Sequence, residues 1–365
     1  MSNTIGKNYK LTVFGESHGK SIGVIIEGIK PGINIDFEKV KKEMDRRKPG
    51  RYKISTSRKE GDIVDIQSGI FEDKTTGAAI CGIIKNKNTR SKDYSLLKRK
   101  MRPGHSDLSA NKKYKGFNDH RGGGQFSGRL TAPLVFAGAI AKQILKDKNI
   151  LIGSHIKSIK NVKDRTFQKR DLNKETFDRL KNKKIPTLDL EKSDIMEKEI
   201  LKYKDKKNSI GGVVEGTILN IPAGLGQPLF DSFESKLSKL IFSIPGVKGL
   251  EFGSGFKISE MTGKEANDEY FYDKDKNIKA YSNNNGGIVG GISNGVPINL
   301  KVAFKPTPSI GLKQRTIDIE KQKNTELKIE GRHDPCIVPR ALVVVEACMA
   351  IVTLDLLLEG KIWQD

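Results

Sequence analysis

The residues best suited to chemistry lie in three short segments, each mixing glycine with histidine or arginine. The first is Gly15-Glu16-Ser17-His18-Gly19. Literally this is G-x-S-x-G, which in hydrolases lifts a serine onto a sharp turn between a strand and a helix. Here Ile22, Val24 and Ile26 alternate with Ser21, Gly23, Ile25 and Glu27 as a strand does, so the required helix is missing. With Lys20-Ser21 the segment also approaches a P-loop, but that pattern needs a glycine where Phe14 stands, and again a helix. Both readings fail for want of that helix.

The second segment is Arg102-Pro103-Gly104-His105-Ser106-Asp107, followed by Asp119, Arg121-Gly122-Gly123-Gly124 and Ser127-Gly128-Arg129. Clustered glycines let backbone N–H groups approach an oxyanion, and flanking arginines offer paired donors to phosphate or carboxylate. The third is Gly331-Arg332-His333-Asp334-Pro335-Cys336, preceded by Lys305-Pro306-Thr307-Pro308-Ser309, which combines a cation, two hydroxyls and a stiff backbone as a phosphate clamp would. Together these describe a site with several arginines for a polyanion, histidines that move protons near neutral pH, and an acid close to an arginine. No metal-ligand spacing such as HExxH occurs, and Gly286-Gly287 and Gly290-Gly291 do not make a dinucleotide fingerprint.

The surrounding composition narrows the partners. A formal charge of +22 fits nucleic acid, an anionic membrane, or anionic small molecules. Aromatic residues are only 7%, and the arginines cluster with glycine and histidine rather than along a helix, so a nucleic-acid partner is not expected. Cys81, Cys336 and Cys348 form no CxxC pair, which points to a reducing compartment without disulfides or structural zinc. Met1 to Lys10 lacks the apolar run of a signal peptide, so the expected location is the cytoplasm. Ala341 to Leu358 is apolar enough for a membrane span, but it carries Glu346 and Asp355. A carboxylate near a span's centre costs about 2.5–3.5 kcal/mol, so a buried core helix is the reading and no membrane is expected.

The elements that must position these residues follow from pattern. Lys10 to Phe14 is read as the antiparallel neighbour of Ser21 to Gly28, with Gly15–Gly19 joining them. Asp36 caps a helix carrying Phe37, Val40 and Met44, which ends at Arg46-Arg47-Lys48-Pro49-Gly50. Thr131 and Pro133 open an alanine-rich helix running to about Lys146. Ser154 to Asn208, rich in Lys, Asp, Glu and Asn, is expected to form exposed helices in a variable insertion. Asp231 and Glu234 are expected to start a helix carrying Phe233, Leu237 and Leu240 that stops before Pro245, and Tyr281 to Phe304 reads as hairpins. Strands and helices do not alternate strictly, which argues for α+β with antiparallel sheets covered by helices, in a single domain over 1–365.

Taken in order, GESHG, RPGH with its downstream GGG, Val247 to Phe256 (VKGLEFGSGF), GGIVGGISNG, KPTPS and GRHDPC resemble the chorismate synthase family along nearly the whole chain. The resemblance implies a layered β-α-β sandwich, a homotetramer, and a lyase. That lyase would turn 5-enolpyruvylshikimate 3-phosphate into chorismate and phosphate by 1,4-elimination with reduced FMN, in some members with NADPH as the reductant. By matching position it implies His18, His105 and Asp334 as catalytic. It implies Ser17, Arg47, Arg102, Ser127, Arg129 and Arg332 at the substrate, with Ser17 and Ser127 orienting Asp334, substrate or flavin. For FMN it implies Gln125, Phe126, Ser127, Pro245, Gly246, Gly290, Lys305, Pro306, Thr307, Pro308, Ser309 and Arg332. His120, His155 and His333 are left structural or accessory. The chain departs from the family at Gln125 and Leu130, where many members carry arginine and glutamate, at Arg51, and at Pro245-Gly246 in place of Asn-Ala.

Overall fold

The structure, a computed structural model, describes residues 3–50, 52, 54–56, 60–87, 96–329 and 333–360. Two five-stranded antiparallel sheets sandwich a helical layer. The first sheet contains β1 (Thr4–Ile5), β2 (Lys10–Gly15), β3 (Ser21–Glu27), β4 (Val64–Ser68) and β5 (Ile80–Lys85), in the order β1-β2-β3-β5-β4. In β2 and β3, Leu11 faces Ile26 and Val13 faces Val24, so the alternation read from sequence puts Ile22, Val24 and Ile26 in the core. The second sheet contains β6 (Leu151–Ile159), β7 (Val162–Lys163), β8 (Gly212–Leu219), β9 (Val247–Phe252) and β10 (Ile298–Phe304), in the order β9-β10-β8-β6-β7.

The filling between them is chiefly α3 (Thr131–Lys146) and α7 (Val338–Gly360). Small residues let them approach closely: a Cβ on Gly138 would sit 2.3 Å from the Ala347 Cβ. On one side Phe136 of α3 lies against Gly82 of β5; on the other Met349 of α7 lies against Gly216 of β8. Both helices are apolar nearly all round because both faces are covered.

The carboxylates of α7 have buried partners. Asp355 accepts hydrogen bonds from the backbone N–H groups of Lys7 (2.9 Å), Asn8 (2.7 Å) and Tyr9 (2.9 Å), which fixes the turn entering β2. Glu346 accepts from Arg46 (2.7 and 2.8 Å), from Lys142 (2.5 Å) and from the Ser154 hydroxyl (2.6 Å). Buried charges paired in this way mark a core helix.

The longer of the other helices are α1 (Phe37–Arg47), α2 (Asp107–Lys113), α4 (Lys174–Lys181), α5 (Leu190–Asp205) and α6 (Phe233–Ile241). Asp36 does cap α1, accepting from the Lys39 N–H at 3.1 Å. Two expectations are corrected. The segment 154–208 is not all exposed helix, because Ser154 to Ile159 belong to the central strand β6 and α4 and α5 come only later. The cap of α6 is Ser232, whose hydroxyl accepts from the Ser235 N–H at 3.0 Å, whereas Asp231 pairs with Lys7.

Candidate active site

The three glycine-containing segments meet around one cavity of about 600 Å³, a size typical of small-molecule sites. Its RPGH wall is fixed by Asp107, the first residue of α2. That carboxylate accepts from the Arg102 N–H (3.1 Å), Nε (2.6 Å) and Nη2 (2.7 Å). It also lies 2.6 Å from His105 Nδ1. Burial opposes its ionisation, but hydrogen bonds from Arg102 and His105 hold the carboxyl far below its usual range. Burial pulls His105 below its ordinary value of 6.5; Asp107 opposes this, and Arg102 and Lys305 add to it. With Nδ1–H donated to Asp107, neutral His105 presents Nε2 as an acceptor.

The KPTPS strap ties this wall to the third segment. Lys305 Nζ donates to the Gly104 carbonyl, Arg102 Nη1 donates to the Ser309 hydroxyl (3.3 Å), and the Thr307 hydroxyl donates to the Asp334 carbonyl (2.8 Å). Asp334 is held at both oxygens: the Thr56 N–H donates to Oδ1 at 2.9 Å, and Arg340 pairs with Oδ2. Arg340, in the first turn of α7, also donates from Nε to the Arg47 carbonyl at 3.0 Å. His333 lines the cavity with its buried Nε2 unpartnered, and burial is the main cause lowering its pKa, with Arg102 adding to it.

Arg47 ends α1 and Arg129 follows the glycine run, and both are largely buried where they line the cavity. Both pair with Asp62. Burial, helped by Arg340 and Arg129 and opposed by Asp62, draws Arg47 down to about 10. Asn86 accepts from Arg129 Nε at 3.0 Å and donates to the carbonyls of Glu16 and Gly19, each at 3.0 Å. The GESHG turn and Arg129 are thus held by one side chain.

Of the positions singled out in the sequence, Arg47, Arg102, His105, Gln125, Phe126, Ser127, Arg129, Pro245, Gly246, Lys305, Pro306, Thr307, Pro308, Ser309 and Asp334 all line this cavity. His18 and Ser17 do not; they are packed behind Gly122, which does. A Cβ on Gly122 would lie 2.2 Å from the His18 ring and 2.9 Å from Ser17 Oγ, and its φ of +60° favours glycine. The absence of a side chain on Gly122 is what lets the His18 ring pack directly behind the cavity wall. Ser17 does not orient Asp334, whose partners are Thr56 and Arg340. Ser127 instead accepts from the Arg129 N–H at 3.2 Å, so it shapes the turn that delivers that arginine. Gly290 sits at the exposed tip of the Ile288–Val289 and Ile292–Ser293 hairpin, outside the cavity. Arg121 pairs with Asp119 at 2.8 Å and is 42% exposed, so it too is outside. Arg332 and Arg51 lie outside the described residues. Leu130, where the family has glutamate, packs against the core.

Sequence reasoning missed Asp62, Arg340, Asn86 and Thr56, and gave Asp107 no role. Asp107 stands five residues after Arg102 and Arg340 six after Asp334, so each was within reach of a motif. Asp62, Asn86 and Thr56 belong to no motif.

The residues fit a flavin. Phe126, Val247, Ile337, Ala341 and Val344 give the cavity an apolar wall, while Arg102, Lys305, Thr307 and Ser309 supply phosphate donors on another. Arg129 Nη2 and His333 Nε2 are buried polar atoms without hydrogen-bond partners, as a ligand-binding cavity would leave them.

The family model described as chorismate synthase matches residues 9–358. A chorismate synthase of Methanocaldococcus jannaschii is 48% identical over 99% of this chain and 97% of its own length. One of Pyrococcus abyssi is 46% identical over 98% of each. A solved structure titled "Crystal Structure of Chorismate Synthase" superposes with a TM-score of 0.73 at 29% identity, covering 97% of this chain and 93% of that one.

Proposed function

Since the chain belongs to the chorismate synthase family, we propose that it eliminates phosphate from 5-enolpyruvylshikimate 3-phosphate to give chorismate, with reduced FMN bound in the same cavity. The observation that carries this reading is the convergence of Arg47, Arg102, Arg129, Arg340 and Lys305 on one cavity that also holds His105 and Asp334. A substrate bearing a phosphate and two carboxylates demands that many cations once removed from water. Held by Lys305, Thr307, Ser309 and the apolar wall, reduced FMN would supply transient electron donation to the breaking C–O bond and a base for the ring proton, with no net redox change.

The chain's own residues hold, orient and move protons. Arg47 and Arg129 bind one anionic end, and Arg102 with Lys305, Thr307 and Ser309 binds phosphate oxygens. Asp334, fixed by Thr56 and Arg340, would assist the transfer of the ring proton to the flavin. His105 is neutral at pH 7 and exchanges a proton at Nε2. His18, assigned by the family resemblance to protonate the departing phosphate, lies directly behind Gly122 and would reach the cavity past that glycine. The family's homotetrameric, cytoplasmic state is part of the proposal, and the nearly bare Phe230 (90% exposed), Phe256 (82%), Tyr272 (73%) and Tyr281 (73%) support subunit contacts.

The test is an anaerobic assay with dithionite-reduced FMN, following phosphate release and chorismate absorbance. His105→Ala should fold normally and lose about 10²–10⁴ in turnover. Unchanged turnover at saturating reduced FMN refutes the role of His105, and absence of phosphate release by the wild type refutes the function. Substituting NADPH for dithionite tests whether this chain reduces its own flavin.

A further inference from the structure

Behind the cavity wall, Asp62 has a fully buried side chain and is not itself part of the lining. Its Oδ2 accepts from Arg47 Nε at 2.9 Å and from Arg47 Nη2, and its Oδ1 accepts from Arg129 Nη1. Both arginines line the cavity, arriving from distant parts of the chain: one ends α1, the other follows the glycine run. Their other contacts are long or uncharged. Arg47 Nη1 is 3.4 Å from the Thr131 hydroxyl and 3.5 Å from the Gly128 carbonyl, and Arg129 Nε reaches only the Asn86 amide.

We infer that Asp62 is a positioning residue that sets Arg47 and Arg129 as a single two-pronged receptor for an anionic group of the substrate. Two buried guanidiniums repel each other, and a carboxylate between them removes that repulsion while fixing both planes. It also leaves donors over: Arg129 Nη2 is buried without a hydrogen-bond partner, 4.0 Å from Glu60 Oε2. Bidentate recognition of phosphate or carboxylate depends on where such donors point. The backbone of Asp62 has φ of +48°, a left-handed conformation that asparagine also accepts readily. Asp62→Asn therefore removes the charge with little change of shape.

This inference rests on the proposed reaction, and two readouts separate their failures. In the turnover assay, folded Asp62→Asn should raise the KM for 5-enolpyruvylshikimate 3-phosphate by about tenfold to a hundredfold, with kcat within about threefold. In an Arg129→Met background the same change should raise KM by only about two- to fivefold, since Arg47 alone is left for Asp62 to position. Without turnover, inorganic phosphate should raise the wild-type melting temperature and have a much smaller effect on Asp62→Asn. If the wild type releases no phosphate from the substrate, the function fails while the phosphate experiment still reads the positioning claim. If Asp62→Asn alone does not fold, the Arg129→Met pair decides, because fewer buried charges are left unpaired there. A folded Asp62→Asn with wild-type KM and wild-type response to phosphate overturns the inference, as does a full tenfold penalty in the Arg129→Met background.

Discussion

Replacing Glu346 by glutamine tests how the helical layer is held. Its carboxylate is the common acceptor for Arg46, Lys142 and the Ser154 hydroxyl. The Arg46 and Lys142 side chains are 10% and 13% exposed. Glutamine fills the same space but leaves those two cations to share Glu43 alone, at 3.0 and 2.6 Å. Removing one partner of a buried pair costs about 3–5 kcal/mol, because the remaining charge stays out of water. Glu43 offsets part of this, so the low end, about 3 kcal/mol, is expected. The assay is urea unfolding followed by fluorescence and circular dichroism, comparing midpoints at constant slope. Its pH dependence has a definite sign. Burial raises the Glu346 pKa, but Arg46 and Lys142 outweigh burial and hold it well below 4.5. The stabilisation is therefore present above pH 4.5 and disappears as pH falls through the depressed value. The difference between wild type and Glu346→Gln should shrink in acid. An unchanged midpoint at neutral pH, or a gap that widens as pH drops, would refute the reasoning.

Two further substitutions probe the site. Gly122→Ala places a methyl 2.2 Å from the His18 ring at a φ of +60°, so turnover should fall about 100-fold as the ring is displaced, while the melting temperature drops only a few degrees; steady-state rates and thermal melts check this. Asp107 is the main influence raising the His105 pKa against burial, so Asp107→Asn should move the acid limb of kcat/KM to lower pH, read from a rate profile between about pH 5 and 8.

What the sequence disclosed and what it hid have a common physical cause. The strands β2 and β3 and helices α1 and α3 were legible because one feature decides each: alternation with one apolar face, an Asp cap, an alanine-rich run opened by Thr-x-Pro. Strand β6 was hidden because both of its faces are covered while one carries polar residues. His155 is fully buried between Glu215 (2.6 Å) and Asp164 (3.0 Å), and these carboxylates raise its pKa despite burial. In sequence such a residue looks like solvent-facing polarity; only the partner, sixty residues away, removes that meaning. The site divides the same way. Many residues that line the cavity sit in the short motifs, although Thr56 and Arg340 line it from outside them. Asp62 and Asn86, which hold the arginines without lining the cavity, work through long-range pairs and need no local pattern.

The buried charges also connect the layers to the chemistry. Glu346 anchors Arg46, and the next residue, Arg47, turns into the cavity beside the end of α1. Nearly two turns of helix earlier in α7, Arg340 takes the Arg47 carbonyl and the Asp334 carboxylate together. The helix that packs the two sheets together thus also sets the spacing between Arg47 and Asp334. Hydrophobic packing alone would leave α1 free to slide along α7 by fractions of an ångström, whereas a polar contact at each of two points fixes rotation and register. Because buried pairs add little net stability over apolar side chains of equal volume, what they contribute here is position. That is also why a charge-removing change at Glu346, remote from any reacting atom, is expected to misplace Arg47 as well as lower the unfolding midpoint.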